Sequence, residues 1–222
     1  MRFIELNHVI TDGMVSYPGM PPVKISSYLT REQCGEAYGG GSAALIDNID
    51  MVNISGTYID SPYHRFESGY RVSEIPLEKV FDLRTFVVHM GVRHKWFDVE
   101  DLTHLEREEL KGAAVLLHSG YDAFFGKPEY EIETPYLTVE GAEWLMERGV
   151  CLVGIDTPLI DDMVNKAIKG DLVHDAILSA GGVICEDMKD LHMLPDKGAR
   201  LYAIAPRVEM ASFPARVFAV VD

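Results

Sequence analysis

Ala113-Ala114-Val115-Leu116-Leu117-His118 is a continuous apolar run of strand length, closed by Ser119-Gly120. A strand with one wet face alternates apolar and polar side chains, so a run without alternation indicates a strand covered on both faces. Residues 139–148 then follow a helical period, with Ala142, Leu145 and Met146 on one side and Gly149 as the stop. Cys151-Leu152-Val153-Gly154-Ile155 is a second covered run, with Asp156-Thr157-Pro158 at its carboxyl end. Strand, helix and strand in that order suit a parallel crossover. The expectation is an α/β fold.

Working outward, residues 3–6, 23–29, 84–89 within 80–90, 183–186, 201–206 and 217–221 read as further strands. Residues 100–110 read as a helix or helical turn, 173–180 as a helix or the lead-in to Gly181-Gly182, and 35–42 as a glycine-rich loop. Residues 43–54 are expected to feed a strand into the segment that follows. A chain of 222 residues, 47% hydrophobic and 25% charged, can bury a full core in one domain spanning 1–222.

The net charge of -15 argues against a nucleic-acid partner, which needs a basic face. Cys34, Cys151 and Cys185 are too few and too scattered for a disulfide framework, and Cys151 and Cys185 sit in apolar runs as reduced core residues. The opening Met-Arg-Phe-Ile-Glu-Leu has no apolar leader pattern, and no apolar run reaches the roughly 18 residues that span a bilayer. The expectation is a cytoplasmic protein with no membrane partner.

The chemistry concentrates in Asn53-Ile54-Ser55-Gly56-Thr57-Tyr58-Ile59-Asp60-Ser61-Pro62-Tyr63-His64. Tyr58, Asp60, Pro62 and His64 alternate, so in an extended segment all four would project to one side. Of the eight histidines, His8, His89, His94, His104, His118 and His192 have no carboxylate at a ligand-like spacing and read as structural or surface residues. His174 lies before Glu186 across the Gly181-Gly182 turn. Asp60, His174 and Glu186 would form a mixed nitrogen and oxygen set suited to a first-row divalent ion, although solvated surface is the ordinary explanation of any such trio. HExxH, CxxC, P-loop, GxGxxG and nucleophile-elbow patterns are absent from the sequence.

The stretch Gly56 to His64 resembles the Gly-Thr-His-x-Asp-x-Pro-x-His signature of the cyclase family, metal-dependent hydrolases that include bacterial-type kynurenine formamidase and isatin hydrolase. Asp12-Gly13-Met14 with Tyr17-Pro18-Gly19, Leu116 to Asp122, Gly154 to Pro158, His174 and Val183 to Met188 resemble further family blocks in the same order. The resemblance implies a single α/β domain with a mixed, partly barrel-like sheet of the swivelling β/β/α type. It implies metal ligation by Asp60, His174 and Glu186 and a catalytic role for His64 as proton donor or orienting group. It also implies a homodimer or homotetramer, with the extended N-terminal loop as an exchange element.

The chain departs from that pattern at Ile54 and Tyr58, which stand where two-metal members carry histidines. Isoleucine offers no lone pair, and a neutral phenol, with its reference pKa near 10, is a poor ligand. The expectation is therefore one divalent ion, Zn²⁺ or Mn²⁺, with open positions for water and a small-molecule substrate. Tyr58 would donate to a developing oxyanion, Glu186 would double as general base, and His64 would protonate the leaving group. Amide, lactam, arylformamide or lactone carbonyls are the expected targets. The alternative is a non-hydrolytic relative: a binding protein, or a lyase, isomerase or lactonising cyclase. Tyr17, Tyr63, Phe66 and Tyr70 would suit a flat substrate, and Arg65 or Arg207 an anionic one.

Overall fold

The computed structural model describes residues 1–17, 19–91, 95–131, 133–165 and 170–222. Pro18 and His94, both considered above, lie outside the described residues. The strands run β1 (Arg2–Glu5), β2 (Lys24–Leu29), β3 (Ile46–Asp50), β4 (Tyr58–Asp60), β5 (Leu83–His89), β6 (Trp96–Phe97) and β7 (Ala114–His118). They continue as β8 (Tyr136–Leu137), β9 (Leu152–Ile155), β10 (Val183–Glu186), β11 (Lys197–Ile204), β12 (Ser212–Pro214) and β13 (Arg216–Val221). The helices are α1 (Arg31–Ala37), α2 (Val99–Leu102), α3 (Val139–Glu147) and α4 (Leu172–Ser179).

The covered runs pair side by side: β5, β7, β9 and β10 are parallel neighbours, with α3 crossing between β7 and β9. Antiparallel strands extend both flanks, giving the order β1-β13-β11-β5-β7-β9-β10-β4-β12. β12 is the last strand of that order and β13 the second, yet only Ala215 separates them in the chain. The far edges must therefore approach each other, and the sheet curls into a half-barrel within a single α/β domain of the swivelling β/β/α type.

Alternation along each central strand sorts side chains into two cores. Val87, Leu116, Leu152 and Cys185 face the inside of the curl with Leu201, Val217 and Met188. Phe86, Val88, Val115, Leu117, Val153 and Ile184 face outward against Leu145 of α3 and Ile177 of α4. Both faces are dry, which is why these strands read as unbroken apolar runs. All three cysteines are buried and free. Among the described residues no helix is long and apolar enough to cross a membrane.

Several expectations change. Residues 35–37 belong to α1, because Thr30 and Gln33 close a reciprocal capping box at its start. β11 ends at Ile204, leaving 205–206 outside it, and β12 is an additional strand. β2 pairs with β3 as expected of a strand, but both are exposed along almost their whole length, leaving Ile25, Tyr28, Ile46 and Ile49 in solvent.

The extended strip expected over 58–64 breaks after Asp60. Pro62–His64 is a single 3-10 turn, since proline fixes φ and its missing N–H suits a first helical turn. The turn is held by the following loop: Phe66 N–H donates to the Pro62 carbonyl at 2.9 Å and Tyr63 N–H to the Tyr70 carbonyl at 3.2 Å. Gly69 makes this possible, because a Cβ there would stand 2.5 Å from the Pro62 carbonyl carbon and 2.7 Å from the Tyr63 nitrogen. Backbone cannot yield as a side-chain tip does. Gly69→Ala is expected to lower unfolding free energy by about 1–3 kcal/mol, read from the urea midpoint at constant m-value, and to displace His64.

Candidate metal centre

Strand register brings the polar residues to one face. Across β4 and β10, Asp60 faces Ile184 and Tyr58 faces Glu186; across β4 and β12, Asp60 faces Ser212. Directly opposed residues share a face of the sheet. Tyr58, Asp60, Glu186 and Ser212 therefore lie on the side of Ile184, the side that α4 covers. With eight residues α4 is too short to persist alone. Burial of Val173, Ile177 and Leu178 anchors it, each side chain contributing about 1.5–3 kcal/mol, and this sets His174 above Asp60.

Arg65 ties the 62–64 turn to α4, donating from Nε to Asp175 Oδ1 at 2.8 Å and from Nη1 to Asp171 Oδ2 at 3.3 Å. It is thus engaged with its own protein rather than offered to an anionic substrate. Arg207 donates to the Ser73 carbonyl at 3.3 Å. Tyr63 lies under the Arg71 guanidinium and Tyr70 donates to the Gly181 carbonyl.

One ligand atom from each of Asp60, His64 and His174 lies within 4.8 Å of the others. His174 Nε2 stands 3.6 Å from Asp60 Oδ2 and 3.7 Å from Glu186 Oε1. Its other nitrogen, Nδ1, is 2.5 Å from Asp161 Oδ2, which also accepts from the His174 backbone N–H, while Asp161 Oδ1 accepts from Val173 N–H. A carboxylate at Nδ1 fixes the proton there and leaves the Nε2 lone pair facing the cluster in the neutral ring.

Asp60 is 1% exposed. Its Oδ1 accepts from Ser212 Oγ, but Oδ2 has no hydrogen-bond partner among the described residues. Glu186, fully buried, accepts from Ile160 N–H at Oε1 (2.6 Å) and from the Tyr58 hydroxyl at Oε2. Because the Ser212 hydrogen goes to Asp60, its oxygen accepts from His64 Nδ1 at 3.3 Å. That leaves Nε2 of the more open imidazole, 35% exposed, free to act.

Charge in this cluster is lopsided. Burial alone would lower the His174 pKa, but the carboxylates of Glu186, Asp161 and Asp60 outweigh it and hold the ring well above its ordinary value. Burial, reinforced by the Asp60 charge, pushes the Glu186 carboxyl up to about 7 against the pull of His174 and Tyr58. Burial and the charges of Glu186, Asp60 and Asp187 raise the Tyr58 phenol well above its normal range, so it stays a neutral donor. Asp60, His64 and His174, with an oxygen of Asp60 that lacks a hydrogen-bond partner among the described residues, form a candidate site of mixed oxygen and nitrogen donors consistent with a divalent cation.

Sequence reasoning singles out neither Asp161 nor Ser212. Asp161 lies 13 residues from the imidazole it orients and Ser212 lies 152 from the carboxylate it contacts, so no local spacing links them. Ile54 sits in the turn before β4, with its carbonyl accepting from Ser16.

Residues 4–162 match the family model described as "Cyclase: Putative cyclase". The kynurenine formamidase of Erythrobacter litoralis is 31% identical over 149 residues, 65% of each chain. That of Geobacillus thermodenitrificans is 25% identical over 194 residues, 87% of this chain and 85% of the other. Among solved structures, isatin hydrolase A from Labrenzia aggregata superposes with a TM-score of 0.83 at 21% identity, over 99% of this chain and 93% of that one. At that identity the likeness is one of fold.

The two buried aspartates predict opposite mutational signs. In EDTA, Asp60→Asn is expected to raise unfolding free energy by about 1 kcal/mol, because the amide keeps the Ser212 bond and removes the like-charge repulsion with Glu186. Asp161→Ala is expected to lower it by about 2–3 kcal/mol, because two backbone N–H groups and an imidazole lose their acceptor. Urea unfolding measures both, and a common sign would contradict the assignment of the orphaned oxygen.

Proposed function

The chain belongs to the Cyclase family, and from that premise we propose that it is a metal-dependent hydrolase. Its target would be a carbonyl–nitrogen bond of amide, lactam or arylformamide type, or a lactone, in a small cyclic or aromatic molecule. The observation that carries the proposal is Asp60 Oδ2, buried without a hydrogen-bond partner among the described residues and 3.6 Å from His174 Nε2. Asp60, His174 and Glu186 would hold one Zn²⁺ or Mn²⁺. A divalent ion there supplies Lewis acidity, polarising a carbonyl and activating water.

The remaining work falls to this chain's own side chains. Asp161 holds the His174 proton on Nδ1, away from the ligand atom. His64, with Nδ1 directed to Ser212, presents Nε2 on the open side, where it can deliver a proton to a departing nitrogen or oxygen. Glu186, raised toward neutrality by burial, is suited to take a proton from water as general base. Tyr58 serves through Glu186, since its hydroxyl already donates there; donation to an oxyanion would require that bond to open. The exposed β2–β3 hairpin suits contact with a second copy, in line with a homodimer or homotetramer.

Purified protein is expected to carry about one ion per chain by elemental analysis. Asp60→Ala or His174→Ala should lose it, with turnover of small cyclic amides and aryl formamides falling about a hundredfold or more. A protein that binds no added Zn²⁺ or Mn²⁺ would defeat the proposal. An ion retained without hydrolysis would favour the lyase, isomerase or binding alternative. Tyr58→Phe should keep the ion while kcat falls about ten- to a hundredfold; unchanged kcat would reduce Tyr58 to packing.

A further inference from the structure

A second set of imidazoles lies on the other face of the sheet. β5 and β7 are parallel neighbours whose last residues, His89 and His118, are register partners. They follow Val88 and Leu117 of the helix-covered core, so they point to the side of Val87 and Leu116, inside the curl. β9 and β10 separate β7 from β4 in the sheet, which places the pair about 14 Å or more from Asp60 at ordinary strand spacing.

The two rings meet through like atoms. His89 Nδ1 and His118 Nδ1 are 2.7 Å apart, with the ring planes at 88°. Two bare lone pairs would repel at that distance, so one hydrogen lies between them. Its donor follows from the other end of His89, where Nε2 is 3.3 Å from Asp196 Oδ1. Only an N–H is attracted to a carboxylate, so in the neutral ring His89 carries its proton on Nε2 and offers the Nδ1 lone pair; His118 supplies the shared hydrogen. This repeats the arrangement at His174, where Asp161 holds the far proton and the near nitrogen is free. His192, exposed on the turn at 191–193, places a third ring 6.2 Å from His118.

We propose that His89 and His118 form a second divalent-metal site, in which an imidazole-preferring first-row ion of the Zn²⁺, Ni²⁺ or Cu²⁺ class replaces the shared hydrogen. Zn–N bonds of about 2.0–2.1 Å at a tetrahedral angle put the nitrogens about 3.3 Å apart. The pair must therefore open by about 0.6 Å, a side-chain adjustment at two strand ends. Imidazole ligands select these ions over Mg²⁺ or Ca²⁺. Burial, then the neighbouring His89, lowers the His118 pKa, which keeps that ring neutral and ligand-ready near pH 7. The pair is open to solvent, His89 being 44% exposed, so an ion has a route in. Bound there, it would clip β5 to β7, with His192 within reach as a further arm.

The test is Zn²⁺ titration by calorimetry of the full chain, first stripped with EDTA and dialysed, in 0.15 M salt with excess Mg²⁺ to suppress loose binding to the acidic surface. Four proteins are compared: wild type, Asp60→Ala/His174→Ala, that variant with His118→Ala added, and His89→Ala/His118→Ala, with His89→Gln/His118→Gln in reserve should the alanine pair misfold. The wild type is expected to bind in two classes. Asp60→Ala/His174→Ala should retain one equivalent, whose Kd rises at least tenfold when His118→Ala is added. The paired histidine variants should lose one equivalent while keeping the site at Asp60. If they bind as many ions as wild type, or if the tightness of the residual class ignores His118→Ala, the pair is an ordinary imidazole hydrogen bond and the proposal falls. Because the two sites are removed separately, failure here is distinguishable from failure at Asp60.

Discussion

Asp60 places a carboxyl group in the interior and leaves one of its oxygens without a hydrogen-bond partner among the described residues. Burying a carboxyl oxygen without a hydrogen bond costs free energy, so everything around it must be stable enough to hold it there. β4 has three residues and could not do so alone. It is clamped between β10 and β12, roofed by α4, and tied through Ser212 to the turn that carries His64. Glu186 adds repulsion, which the His174 ring offsets only in part. Polar groups left unsatisfied at the centre of an otherwise well-packed domain mark the place where stability has been subordinated to binding.

The curl of the sheet is what brings those clamps together. A flat sheet would leave β12 at one edge and β13 beside the strand at the other, and no single residue could join them. Closing it lets the C-terminal segment finish one edge with Ser212–Pro214 and at once begin β13, the strand next to the other edge, with Arg216, putting Ser212 beside Asp60. Curling also separates chemistry by face: residues packed toward the helices build the Asp60 cluster, and strand ends turned inward gather His89 and His118. In both places a carboxylate on the far nitrogen decides which imidazole atom is available.

The unbroken apolar run at 113–118 and its partner at 151–155 were sufficient to announce buried parallel strands, because two dry faces leave no room for alternation. Asp60, His174 and Glu186 were legible as residues suited to one site, through a motif and a turn. Their geometry was not. The strip 58–64 looked extended by its alternation, yet Pro62 starts a 3-10 turn and Gly69 allows a loop to press against it, so His64 arrives by a bend rather than along a strand. Tyr58 could be read as ligand or oxyanion donor until register set Glu186 opposite it and gave its hydroxyl a partner.

By itself, then, the sequence determined the fold class, the covered strands and the acidic and imidazole groups of the candidate metal centre. These depend on local periodicity and residue chemistry, which survive in one dimension. Which carboxylate orients His174, which serine links Asp60 to His64, and which two of the remaining histidines meet were decided only by the tertiary structure. Each is a contact between residues 13 to 152 positions apart, created by strand register and sheet closure. Hydrogen bonds are directional over a few ångströms, so side chains that distant in the chain acquire their partners only when the sheet has closed.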